Sequence, residues 1–151
     1  MPDSSVVVLN HLVEVCRNGE FGFREAAAAV KDAHLRTTLG NLSEQREQFA
    51  VQLRYQVARL GGKPENRGSV AGSFHRRWIE LRSSLSTHPA SAVLVECERG
   101  EVIAERAYAA ALADDLPPNV RAIVEDQYTQ IKAAHDNLLS LQVRLRQQPA
   151  F

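Results

Sequence analysis

The fold is decided by residues 35–62, LRTTLGNLSEQREQFAVQLRYQVARLGG. Apolar side chains recur in this stretch at the spacing of one helical face, at Leu35, Leu39, Leu42, Phe49, Leu53 and Leu60. Arg46 fills a gap near the middle of this apolar seam, where a further apolar side chain would be expected. The pair Gly61-Gly62 then predicts the end of the helix.

Similar patterns predict three further helices. The first runs from about Ser5 to Lys31 and reaches the second through a tight turn. A polar connection from Gly61 to about Gly72 is too long for a hairpin turn and suits a crossover along the length of a bundle. The third helix begins near Ser73 with a kink or break at Thr87-His88-Pro89, and the fourth begins at Pro118.

These four amphipathic segments predict an all-α, up-and-down four-helix bundle. One connection is a longer crossover, and the third helix is kinked or broken. A chain of 151 residues suits one domain, 1–151, with an ordered core of about 5–146. No alternating pattern typical of a β-strand occurs along the sequence.

Composition and charge exclude several classes of function. Lys+Arg and Asp+Glu both number 18, giving a formal net charge of +0, so we expect no nucleic-acid partner. No apolar run is long enough to span a bilayer, and the short run Val6–Leu9 does not have the features of a signal peptide. Cys16 and Cys97 each lie on an apolar helical stripe. They are typical of buried thiols in a reducing compartment, so we expect a cytoplasmic protein.

Each predicted helix has a polar or glycine break at its midpoint. The breaks are Gly19-Glu20, Arg46, Glu101 and Gln127. In an antiparallel helix pair, residues equidistant from the turn lie at the same height, which places Glu20 level with Arg46. Because a buried arginine needs a carboxylate partner, we predict a buried network of Glu20, Arg46 and Glu101. Gln127 and His135 would complete its hydrogen bonds.

The alternative to this network is a metal site. Di-metal carboxylate bundles take one Glu from each of two helices and a Glu-x-x-His motif from each of the other two. This chain has no Glu-x-x-His motif, and the cation of Arg46 would repel a divalent ion. Iron, manganese or zinc could still be bound by Glu98, Glu101, His135 and Glu47. Without that site, we expect no cofactor.

Several segments also carry a family resemblance. They are GEFGFREA (19–26), LGGKP (60–64), GSFHRRW (72–78) and ECERGE (96–101), followed by Leu116-Pro117-Pro118 and Ala134-His135-Asp136. In this order they resemble an uncharacterised bacterial family of ferritin-like four-helix-bundle proteins, from about Asn10 to Leu141. The resemblance implies a ferritin-like bundle and no particular activity. Only the wider superfamily implies metal binding, and its histidine-containing motifs are absent here.

The sequence supports three hypotheses about function. The first is a non-catalytic structural or interaction protein, associated with stress and acting as a homo-oligomer, with a dimer as the first expectation. The second is a metal-binding or redox protein that uses Glu98, Glu101 and His135. The third is a small-molecule binder with a cavity beneath Trp78. No catalytic residue is assigned in any of them.

Overall fold

The structure is a computed structural model that describes residues 3–67 and 90–147. Within these two ranges the chain forms four helices and no strand: α1 (Ser4–Ala29), α2 (Ala33–Arg59), α3 (Ala90–Leu112) and α4 (Pro118–Gln147). The predicted all-α four-helix bundle is therefore confirmed. None of the helices in these ranges is long and apolar enough to cross a membrane.

Three features predicted for the third helix lie outside the described residues. They are its start near Ser73, its kink or break at Thr87-His88-Pro89 and the cavity beneath Trp78. The apolar stripe predicted to follow the break forms α3, which begins at Ala90.

Local side-chain chemistry sets the ends of the first two helices. At the start of α1 the carboxylate of Asp3 accepts the backbone N–H of Ser5 at 2.9 Å. Asp32 caps α2 in the same way, accepting the N–H of Leu35 at 2.9 Å. After α2, Gly61 has a φ of 81°, a left-handed conformation that favours glycine. These caps leave only three residues between α1 and α2, so the two helices form a tight hairpin.

The buried apolar residues form two clusters, one above the other along the bundle. The lower cluster includes Leu9, Leu12, Phe49, Leu53, Tyr108 and Val124. The upper cluster includes Phe23, Leu39, Leu94, Cys97 and Leu138. On α2 and α3 the stretches between the clusters hold Arg46 and Glu101, which are both buried. A polar layer therefore divides the core at mid-height.

The composition of the two clusters also gives the direction of the helices. The lower cluster combines the first half of α1 with the second half of α3, and the upper cluster combines the opposite halves. α1 and α3 are therefore antiparallel, so α2 and α3 run parallel. The chain after α2 turns back along α1: the side chain of Asn10 bonds the backbone of Lys63 and Glu65, and Arg17 bonds Asn66.

Candidate functional site

An ion pair between Arg46 of α2 and Glu101 of α3 occupies the middle of the bundle. Arg46 Nη1 donates to Glu101 Oε1 at 2.5 Å, and Nη2 donates to Oε2 at 2.6 Å. The two side chains are only 2% and 1% exposed. Two parallel charge-assisted hydrogen bonds of this kind fix both the distance and the relative orientation of the partners. The pair therefore joins the α1–α2 hairpin to the α3–α4 hairpin.

The surroundings of Arg46 keep its guanidinium charged. Burial lowers the pKa of Arg46, but the hydrogen bonds and the negative charge of Glu101 outweigh burial, so its pKa lies above the ordinary value. The guanidinium carbon lies 5.1 Å from the ring centroid of Phe23, a distance at which a cation is attracted to an aromatic ring. Nε donates to the side chain of Gln45 at 3.2 Å.

Gly19 of α1 gives Arg46 the space that it needs to reach α3. A Cβ atom at Gly19 would lie 3.4 Å from Arg46 Cγ and 3.5 Å from Nη1, at the limit of van der Waals contact. The arginine side chain thus passes directly against the backbone of α1. A longer side chain at position 19 would occupy the path that leads Arg46 to Glu101.

Glu20 has a different partner from the one that the sequence predicts. Its Oε1 accepts from Arg17 Nη1 at 2.7 Å, on the same helix, and Arg46 pairs with Glu101 instead. Ser43 Oγ of α2 donates to the backbone oxygen of Glu20 at 2.8 Å, so Glu20 lies beside α2 about one turn from Arg46. Height along a hairpin does not give direction around the helix, and successive helical residues point about 100° apart. Arg46 therefore passes Gly19 and leaves the Glu20 carboxylate on another side of α1.

Gln127 belongs to a separate chain of hydrogen bonds, in the lower cluster. Tyr108 Oη donates to Gln127 Oε1 at 2.7 Å, and Gln127 Nε2 donates to Gln52 Oε1 at 2.8 Å. Because the single hydroxyl proton of Tyr108 is used there, the contact of 3.1 Å with Cys16 has the thiol as donor. This chain crosses all four helices and does not contact the ion pair.

Burial keeps the thiol of Cys16 protonated. It raises the pKa of Cys16 to about 11, and it also raises the pKa of Cys97. Both cysteines are free and buried. Since the thiolate is the nucleophile in cysteine chemistry, neither side chain is prepared for covalent catalysis.

His135 of α4 lies between two carboxylates of α3. Its Nδ1 lies 2.7 Å from Glu105 Oε1, and its Nε2 lies 3.5 Å from Glu98 Oε1. Burial lowers the pKa of His135, whereas the hydrogen bonds and charges of Glu105 and Glu98 raise it, and the net shift is upward. The sequence predicted that Glu98 and His135 are neighbours. It did not predict the shorter contact, with Glu105.

The four residues of the predicted metal site are not brought together. Glu98 contacts His135, but both oxygens of Glu101 are bonded to Arg46, and Glu47 is exposed on α2. In the described ranges, no three His, Cys, Asp or Glu residues form a group that could hold a metal ion. His135 is better described as an imidazole held between two carboxylates, which favour its protonated form.

The fold and its centre define this protein as an all-α helical bundle whose core holds an ion pair between its own side chains. The chain belongs to the family described as "Domain of unknown function (DUF2383)", whose profile matches residues 4–114, from the start of α1 to just beyond α3. The predicted membership in an uncharacterised family is confirmed. A comparison with curated protein sequences found no significant match.

The substitution Glu101→Gln should destabilise the protein strongly. It keeps the shape of the side chain but leaves the buried charge of Arg46 without its counter-ion, which typically costs about 3–5 kcal/mol. The matched control is Glu20→Gln, which removes the more accessible pair with Arg17 and should cost about 1 kcal/mol or less. Urea unfolding at neutral pH measures both. Equal losses for the two variants would contradict the assignment of Glu101 as the partner of Arg46.

The His135 triad should make stability depend on pH. The folded-state pKa of His135 is raised, so its contribution is fully present below the unfolded-state pKa of about 6.5 and is lost as pH rises through the folded value. The free energy of unfolding should therefore fall across this window in the wild type, and less so in His135→Gln. His34→Gln, at an exposed histidine, is the control and should keep the wild-type slope. If the free energy of unfolding changed equally with pH in all three proteins, His135 would not be the source of the pH dependence.

Proposed function

We propose that this protein is a non-catalytic structural or interaction protein, in which an ion pair occupies the place of a central metal site. The proposal is carried by one observation, the buried bidentate bond between Arg46 and Glu101 at mid-height of the bundle. Arg46 already provides the positive charge that Glu101 needs. A divalent cation at the same position would be repelled by Arg46 and would have to displace it.

The proposed role of the ion pair is to select one packing of the two hairpins. The apolar clusters above and below it can tolerate small shifts of one helix along another, because contacts between apolar side chains are not directional. The bidentate geometry is satisfied at only one relative height of α2 and α3, and a shift would leave two buried charges unpaired. Buried polar groups are known to set register in this way in coiled coils, at some cost in stability.

Two further parts of the proposal concern the cellular compartment of the protein and its architecture. The free, buried state of Cys16 and Cys97 supports a reducing compartment, and we propose the cytoplasm. The parallel arrangement of α2 and α3 after a long connection supports the ferritin-like architecture that the sequence resemblance implies. In this proposal the bundle works without a cofactor.

The protein purified without chelators should contain no stoichiometric iron, manganese or zinc. Its melting temperature should change by less than about 1 °C when Fe(II), Mn(II) or Zn(II) is added, because a ligand stabilises only the state that binds it. Metal analysis by mass spectrometry and calorimetry provide the measurements. One metal ion per chain together with a raised melting temperature would overturn the proposal. If that metal were lost in Glu98→Gln, it would support the site of Glu98, Glu101 and His135.

We also propose that the protein self-associates as a homodimer through α2. Val51 and Tyr55 lie one turn apart on this helix and are 54% and 62% exposed. Tyrosine is enriched at protein interfaces, because it combines a large apolar surface with a hydroxyl group. A second copy of the chain would cover this face.

The double variant Val51→Lys/Tyr55→Lys should be monomeric where the wild type is a dimer. Light scattering coupled to size exclusion measures the mass of each. The control is Leu139→Lys/Val143→Lys on α4, which also replaces two exposed apolar residues one turn apart and should stay dimeric. A monomeric wild type, or a dimer that persists in the α2 variant, would refute this interface.

A further inference from the structure

A cavity of about 430 Å³ lies between α1 and α3, beside the central ion pair. Its walls are mainly small or apolar residues from the facing sides of the two helices, joined by four polar or ionisable ones: His11, Asn18, Glu96 and Arg106. The Arg46–Glu101 pair with the ring of Phe23 forms its inner end. The volume is about three times that of an apolar cavity that accommodates benzene. It also falls within the usual range for small-molecule sites, roughly 300–1,000 Å³.

The small residues of the two helices create this space. Gly19 and Gly22 line it from α1, and Gly100, Ala104 and Ala107 line it from α3. A Cβ atom at Gly100 would meet no atom within 4 Å, and its backbone is not in the left-handed conformation that favours glycine. Neither close packing nor backbone geometry therefore calls for glycine at this position, where it weakens a helix by about 1 kcal/mol relative to alanine. The absence of a side chain at Gly100 instead leaves space in the cavity.

The charges at the inner end of the cavity select against a charged ligand. Arg46 would repel a cation and Glu101 would repel an anion, while the two together are neutral. The remaining lining surface is mainly apolar, including Ile103 and Val15, and its other fixed charges, on Glu96 and Arg106, are again of opposite sign. A mainly apolar and uncharged molecule therefore suits this site best.

Arg46 also has N–H groups that no side chain within residues 3–67 and 90–147 accepts. A guanidinium has five N–H groups. Three are used, one each from Nη1 and Nη2 to Glu101 and one from Nε to Gln45, which leaves two. Nη1 lies near Gly19, which lines the cavity, so a neutral acceptor oxygen in the cavity could reach a free N–H. A carbonyl oxygen fits this requirement without adding charge.

We propose that the cavity between α1 and α3 binds a neutral, mostly apolar small molecule, with the size of at least two fused rings, that presents a carbonyl oxygen to Arg46. The cavity predicted beneath Trp78 lies outside the described residues and is not part of this proposal. Binding between α1 and α3 goes beyond the structural role proposed above, and neither proposal depends on the other.

The test uses 6-propionyl-2-dimethylaminonaphthalene, a neutral fluorescent ketone with two fused rings, as the probe. The wild type should bind about one molecule per chain with a blue-shifted emission. Gly100→Leu places a side chain in the cavity and should weaken binding at least tenfold. The matched control is Gly40→Leu: Gly40 is also within a helix with open space at its Cβ, but it does not line the cavity, so affinity should be unchanged. Absence of saturable binding, or equal affinity in Gly100→Leu and the wild type, would overturn the proposal.

A second measurement needs no variant and remains valid if Gly100→Leu does not fold. The compounds 2-acetylnaphthalene and 2-naphthoate have nearly the same shape, but the first is a neutral ketone and the second an anion. The ketone should displace the probe at a concentration at least tenfold lower than the carboxylate. Equal potency, or a preference for the carboxylate, would refute selection for a neutral ligand.

Discussion

The bond between Arg46 and Glu101 is the constraint on which the rest of the structure depends. Removing two charges from water costs several kcal/mol for each ion, and only close, correctly oriented contact compensates for that cost. Both charges are almost fully buried here, so the helices that carry them cannot move far relative to each other. The division of the apolar core into two clusters follows directly, since the side chains at this height must accommodate an ion pair.

Other polar groups between the helices also pair with partners on a neighbouring helix, at different heights along the bundle. The Cys16–Tyr108–Gln127–Gln52 chain gives each of its members a partner on another helix. His135 meets two carboxylates of α3 in the same manner. Every one of these contacts joins different helices, so the polar groups connect the bundle across its width while the apolar clusters fill its length. Such contacts demand a particular geometry, which apolar packing by itself does not.

The sequence predicted the position of these polar side chains along each helix better than the direction in which they point around it. A polar break in a helical apolar stripe indicates a position that faces the core, and at three of the four breaks, Arg46, Glu101 and Gln127, the side chain is buried. The fourth break, at Gly19-Glu20, is only half-buried. Counting residues from a turn gives height along a hairpin, which places Glu20 beside α2. It cannot show that Arg46 passes Gly19 to reach α3, because the rotation of each helix depends on how all four pack together.

The cavity was not predictable from the sequence for a related reason. Gly100 lies in a stripe of small residues whose pattern is equally compatible with close contact between helices. Only the separation of α1 and α3 decides whether small side chains bring the helices together or leave a space, and Arg46 influences that separation. Its side chain passes along the backbone of α1 to reach Glu101, so it is inserted between the two helices at the inner end of the cavity. The ion pair that closes the centre of the bundle thus also forms one wall of the space beside it.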